Sequence, residues 1–372
     1  MVLTVQEKLG RIAKLVVERN LNVKKGEQVV IQTWAHTLDA ADEFYYAVRK
    51  RGGNPGMLFN VEDAYFKALK DLNMNLLMAK NEFARAIAGV ENVNIFFAGP
   101  SDPRKFMTVS YEKINATQDN KLQAEITKVQ KQRKVRSAFV NIGQATPERA
   151  AAYGIEYEKW RDAMLDALMA DPDEMARIAK PLITAIKKGK HGVLRSSDGS
   201  ALKFRLAGRS PVLDDGVLRP EDIKRGDNFV HLPAGVIFTA PLEASANGRI
   251  YHDIPQPSRG QYVKGVWADV KNGVLARYGA EKNEKELKEI VESQNPGKME
   301  LGYFTIGVNP AAQPYFIDHQ MARGVVGFHF ANNATFGGKI KDRQYYFTGF
   351  SKKATLEIDG KAIVMDGKLI GR

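Results

Sequence analysis

The chain has 372 residues, 44% of them hydrophobic and 26% charged, and a formal charge of +12. This is the composition of a globular protein of two domains, and it excludes a disordered or fibrous chain. With no cysteine, disulfides, thiolate zinc sites, iron–sulfur clusters and a cysteine nucleophile are also excluded.

The amino-terminal residues lack the unbroken apolar run and small-residue cleavage site of a signal peptide. No stretch approaches ~18 uncharged apolar residues. A cytoplasmic protein without a membrane partner is the expectation. Residues 5–19 predict a helix with Leu9, Ile12, Leu15 and Val16 on one face. Residues 29–32 read as a strand. Residues 38–50 read as a helix stopped by Gly52-Gly53. Further strands are expected at 56–60, 93–98 and 135–142, with one long polar helix over 103–133. This alternation predicts an open, mostly parallel α/β sheet with helices on both faces. A helical stretch at 156–188, broken near Asp171-Pro172, closes an α/β domain of residues 1–190.

From residue 191 the pattern changes. Residues 192–194 and 201–206 flank Ser197-Asp198-Gly199, a hairpin signature. Short strands follow at 236–239, 248–252, 263–270, 274–277, 303–308, 325–331 and 345–350, interrupted by a helix over 284–293. A closing hairpin turns at Asp359-Gly360. Residues 191–372 therefore read as an α+β domain, mainly antiparallel.

No GxGxxG, Walker A, HExxH, GxSxG or SxxK motif occurs, so dinucleotide, zincin and serine-nucleophile signatures are lacking. The basic run Lys128, Lys131, Arg133, Lys134 and Arg136 suits a helix carboxyl end. With the +12 charge it also leaves nucleic acid or a ribosome open as a partner. His36 follows the first strand, where ligands bind in open parallel sheets, and is a substrate-binding candidate. In residues 325–331, strict alternation puts Val325, Gly327, His329 and Ala331 on one face.

His231–Pro241 (HLPAGVIFTAP) resembles the NLPxGEVFTAP signature of aminopeptidase T-like metallo-aminopeptidases. Ser245–Ile250, residues 12–32, Gly199–Arg209 (resembling GTDLTFSLAGR), Leu301-Gly302-Tyr303 and the closing hairpin keep the family's order. The resemblance implies that family's two-domain fold, a homodimer, and a paired divalent-metal site in the second domain that removes N-terminal residues from peptides. Carried over position by position, the family's ligands fall on Val236, Tyr303, a residue within 324–327, Tyr346 and Thr348, while His319 stands where the glutamate of "DEN" would be. The chain also resembles Fe(II)-dependent 2,5-dihydroxypyridine dioxygenases, most closely at Asn333–Lys341 (NATFGGKIK). Their iron ligands would fall on Thr305, Tyr346 and Thr348.

These substitutions predict a neutral, hydroxyl-rich pocket. Tyr303, Tyr346 and His329 are the catalytic candidates, and Thr305, Thr348 and His36 the substrate-binding ones. Asp318, His319 and His329 are what remains for a metal, with no cofactor expected ahead of a divalent Zn, Co, Mn or Fe ion. Three readings follow: an aminopeptidase-family protein, a hydrolase by resemblance, with altered or lost peptidase activity; a diverged enzyme on a small cyclic metabolite; or a non-catalytic basic binding protein. The expected ligand is a peptide or small molecule.

Overall fold

The computed structural model describes residues 3–118, 121–206, 208–294, 297–314, 319–341, 343 and 345–370. The chain forms two compact units, Met1–Met169 with Gly216–Pro233, and Ala170–Asp215 with Ala234–Arg372. It passes between them three times, whereas the sequence suggested a single crossing at 190–191.

In the first unit, α1 (Val5–Leu15) opens on a capping box between Thr4 and Glu7. Then come β1 (Gln28–Trp34), α2 (Leu38–Lys50), β2 (Asn54–Asn60), α3 (Glu62–Asp71), α4 (Met74–Leu77), α5 (Glu82–Val90) and β3 (Val93–Phe97). The expected long helix over 103–133 is divided into a 3-10 segment Pro103–Thr108, α6 (Tyr111–Gln118) and α7 (Lys121–Arg133). Local hydroxyls explain the first break: Thr108 Oγ1 donates to the Lys105 carbonyl, and Ser110 Oγ accepts from Lys113 N. The remaining elements before the crossing are β4 (Arg136–Val140), α8 (Pro147–Tyr153) and α9 (Tyr157–Leu168).

The second unit begins with α10 (Pro172–Lys188), β5 (His191–Arg195), β6 (Ala201–Arg205) and β7 (Val212–Asp214). The chain then returns to the first unit for α11 (Pro220–Lys224) and β8 (Phe229–Leu232), which pairs parallel to β4. The first sheet is thus β2-β1-β3-β4-β8, parallel throughout. The stretch around His231, which the sequence grouped with the second domain, is its edge strand. One face of this sheet is a dry core: Val29, Ile31, Val93, Ile95 and Val140 are fully buried, and the Phe97 ring meets Phe44 of α2 at 5.0 Å.

The rest of the second unit is β9 (Val236–Thr239), β10 (Asn247–His252), β11 (Gln256–Ser258), β12 (Gln261–Val263), β13 (Val266–Lys271), β14 (Val274–Gly279), α12 (Glu284–Glu292), β15 (Leu301–Gly307), β16 (Val326–Phe330), β17 (Phe347–Ser351), β18 (Thr355–Ile358), β19 (Lys361–Met365) and β20 (Lys368–Leu369). They build an eight-stranded sheet, β14-β13-β10-β6-β5-β18-β19-β20, and a five-stranded one, β17-β16-β15-β9-β7, both antiparallel. β11 and β12 pair as a small hairpin. Phe204 of β6 lies 5.3 Å from Phe304 and 5.9 Å from Phe328 between ring centroids. These inward rings join the two sheets face to face, with alternate residues left for the other side. No helix among the described residues is long and apolar enough to cross a membrane.

Candidate functional site

The opposite face of the five-stranded sheet carries the chemistry. Register places Tyr303 beside His329, His329 beside Thr348, Thr305 beside Gly327, and Phe238 beside Thr305. Register partners share a face, so Tyr303, Thr305, His329 and Thr348 form one patch. Gly327 is required there: a Cβ would come within 2.5 Å of Thr305 Oγ1 and 2.8 Å of the Phe350 ring.

His329 is the centre of the patch and is fully buried. Its Nε2 lies 3.2 Å from Thr305 Oγ1. Its Nδ1 lies 2.9 Å from Thr348 Oγ1 and 3.0 Å from the Tyr346 hydroxyl. The Tyr303 ring stacks on the imidazole at 4.3 Å and 15°. Burial, aided by the charge His252 would carry, pushes the His329 pKa down to about 3. A neutral imidazole has one donor and one acceptor nitrogen, and here each faces hydroxyls that can play either part.

Burial raises the pKa of Tyr303 and Tyr346, and their hydroxyls interact with each other. Both phenols are therefore neutral at physiological pH. Tyr346 keeps 49% of its surface exposed although its hydroxyl reaches the buried imidazole. Its backbone N–H is held by the Gln294 side chain. Thr348 is fixed through its carbonyl, which accepts from Gln256 Nε2 at 2.8 Å.

A loop that sequence reasoning did not connect to the site completes the cluster. Phe336 stacks on Phe238 at 4.7 Å and 3° and meets Tyr303 edge-on at 4.7 Å. Asn333 sets the loop: its Oδ1 accepts from Ile340 N at 2.8 Å and its Nδ2 donates to the Gly302 carbonyl at 3.0 Å. A Cβ at Gly338 would fall 2.0 Å from Asn333, so the Gly337-Gly338 pair is what lets the loop close. The Glu243 carboxylate accepts from Lys339 N at 2.7 Å and from Arg209 at 2.5 Å. With Asn333 fully buried, the Asn333-Ala334-Thr335 tripeptide cannot be a glycosylation site in the folded protein.

The structure thus brings Tyr303, Thr305, His329, Tyr346 and Thr348 together. His319, buried and in a 3-10 turn, packs edge-on against Phe350 at 4.5 Å, and His329 meets the same ring at 5.5 Å. The two histidines share an aromatic neighbour. Asp318 lies outside the described residues. Among the described residues no group of three or more His, Cys, Asp or Glu side chains is placed to hold a metal ion. His36 belongs to the first unit, where its Nε2 lies 3.2 Å from the Gly143 carbonyl. Part of the positive charge collects in the second unit along a cleft of about 360 Å³ lined by Lys187, Lys188, Lys190, His191 and Arg205.

Comparison with known proteins agrees with this architecture. Residues 5–313 match the model of a family described as Thermophilic metalloprotease (M29). A stretch of 84 residues is 34% identical to Aminopeptidase T of Thermus aquaticus, spanning 23% of this chain and 20% of that relative. Over 99% of this chain and 100% of the other, the fold is similar to that of wild-type AmpT from Thermus thermophilus, with a TM-score of 0.72 at 17% identity. It is also similar to 2,5-dihydroxypyridine dioxygenase from Pseudomonas putida KT2440, with a TM-score of 0.62 at 16% identity over 100% and 99% of the two chains.

Proposed function

This chain belongs to the thermophilic metalloprotease (M29) family, and we propose that it carries the family's fold with the dinuclear metal centre replaced by an uncharged hydroxyl–imidazole site. On this reading aminopeptidase activity is altered or lost. The site instead binds a neutral peptide-like or small planar ligand.

The observation that carries the proposal is the donor set. By the resemblance, the family's ligand positions fall on Val236, Tyr303, a residue within 324–327, Tyr346 and Thr348. Valine has no donor, and neutral phenol and threonine hydroxyls are poor ligands for Zn, Mn or Fe beside carboxylate and imidazole. His329 is the one imidazole within the patch, and both its nitrogens already face hydroxyls. A metal there would displace a hydroxyl and gain no carboxylate. These residues do not fit a paired divalent-metal site.

The cluster can move a proton without creating charge. With Nδ1 as acceptor and Nε2 protonated, Tyr346 gives its proton to Nδ1 as it takes one from the ligand, and Nε2–H passes one to Thr305 Oγ1 as Thr305 gives its own hydroxyl proton to the ligand; each hydroxyl ends neutral and the imidazole ends as its other tautomer. Because burial holds the His329 pKa near 3, the concerted transfer is favoured over an imidazolium intermediate. The flat surfaces of Tyr303, Phe336 and Phe238 favour a planar ligand, which supports the second reading, a diverged enzyme on a cyclic substrate.

The test is hydrolysis of leucine amide by the purified protein, with and without a chelator and with added Zn²⁺, Co²⁺ or Mn²⁺. The expected result is no metal-stimulated turnover. Robust, chelator-sensitive hydrolysis would overturn the proposal.

A further inference from the structure

The first unit's sheet has a second, very different face. Asn94 and Ser137 stand in register on adjacent strands, and Gln32 stands in register with Phe96. Parallel sheets are normally covered on both faces and apolar on both. Three amide or hydroxyl side chains on neighbouring strands depart from that rule. They line a cleft of about 520 Å³ together with Ala84 of α5, Gln130 of α7, Glu91 and Phe229. This is the size of a small-molecule pocket.

Glu91 gives the cleft its direction. It is 1% exposed. Its Oε1 accepts from Gln130 Nε2 at 2.7 Å, while Oε2 is buried with no hydrogen-bond partner. A buried polar atom left unpaired is costly and calls for an explanation. Burial is also the largest influence on this carboxyl, raising its pKa against the pull of Gln130, Arg133 and Asn94. The unpaired Oε2 is a hydrogen-bond acceptor left for a donor in the cleft. Beside it, Gln32 spends only its Nε2, on Asn94 Oδ1 at 3.1 Å. Phe96 and Phe229 supply flat apolar surface, their rings 6.0 Å apart, and Phe229 is half-exposed. Lys131 is the only cation in the lining, so a charged ligand would meet mostly uncharged wall.

We propose that this cleft binds a neutral, planar nitrogen heterocycle presenting a cyclic-amide edge, a ring N–H beside a carbonyl, to Glu91 and its neighbouring amides. Such an edge suits this wall: the ring N–H donates to the Glu91 oxygen left unpaired, and the carbonyl accepts from a neighbouring side-chain amide N–H. The ring faces lie against Phe96 and Phe229. Every residue involved belongs to the first unit, so the inference does not depend on the reading of the His329 patch.

Calorimetric titration of the full chain with uracil and with hypoxanthine tests it, with 1,3-dimethyluracil as the ligand that lacks a ring N–H. Submillimolar binding of at least one base is expected, and at least tenfold weaker binding of the dimethylated ring. Ala84→Trp, which fills the cleft from a partly buried helix position, should weaken the base at least tenfold. Glu91→Leu should do the same while raising the melting temperature, because it removes an unpaired buried carboxyl; a merely structural Glu91 would lower it. No heat with either base at millimolar concentration, equal binding of the dimethylated ring, or affinities unchanged in both folded variants would overturn the proposal.

Discussion

His252, from β10 of the eight-stranded sheet, packs against the inward face of the five-stranded sheet, whereas His329 stands on that sheet's other face, and both are held neutral. Burial pushes each pKa down to about 3. On the inward face, His252 fills the space left by Gly349, where a Cβ would sit 2.0 Å from the ring, and its Nδ1 lies 3.3 Å from Ser351 Oγ. On the other face, His329 meets three hydroxyls and a stacked phenol. Depressed basicity therefore marks burial in both and function in neither. What separates them is partners: His252 packs two sheets together, whereas His329 organises a polar cluster whose every member depends on it.

Acid should produce the largest effect, and it should not tell the two apart. The folded pKa of each is below the ordinary 6.5. Each therefore contributes stability that is present above pH 6.5 and lost as pH falls toward 3, at about 1.4 kcal/mol per pH unit. Urea unfolding at pH 7 and pH 5 should differ by about 4 kcal/mol from this pair. His231, pushed down to about 4 by burial, adds in the same direction. Replacing either His252 or His329 by leucine should remove a similar share of the slope.

At pH 7 the same two substitutions should diverge. His329→Leu leaves the hydroxyls of Thr305, Thr348 and Tyr346 short of a partner and should cost about 3 kcal/mol. His252→Leu should cost about 1 kcal/mol or less, because Ser351 Oγ still donates to the Tyr251 carbonyl. Equal losses in urea unfolding would show that the cluster contributes no more than packing. Smaller still is Thr305→Val, which leaves His329 Nε2 without its hydroxyl and should cost about 1.5 kcal/mol. Tyr346→Phe should cost only about 0.5 kcal/mol, since Thr348 remains on Nδ1. Its readout is activity or ligand binding, which the proton relay requires to fall much further than stability does.

Much of this was legible in the sequence because strands have period two. Alternation alone puts Gly327 and His329 on one side, and the order of the resembling segments aligns Tyr303 and Thr348 with them. What stayed hidden was non-local. The return of β8 to the first sheet depends on pairing with β4, about ninety residues away, and nothing in HLPAG reports that partner. The role of Phe336 depends on Asn333 reaching Gly302 across the fold. The polar sheet face was readable in principle, as Gln32, Asn94 and Ser137 interrupt apolar strands, but only the register shows that they meet. His36 follows β1 of the first unit, and there its Nε2 lies 3.2 Å from the Gly143 carbonyl.

The central claim is that the M29 fold here holds a neutral cluster in place of two metal ions. Metal content of the purified chain, measured after dialysis against Zn²⁺, Co²⁺ or Mn²⁺, tests it most directly. The account predicts well below one ion per chain and no change in melting temperature on adding metal. Two tightly held ions per chain, lost when Tyr303, Tyr346 or Thr348 is changed to alanine, would contradict it.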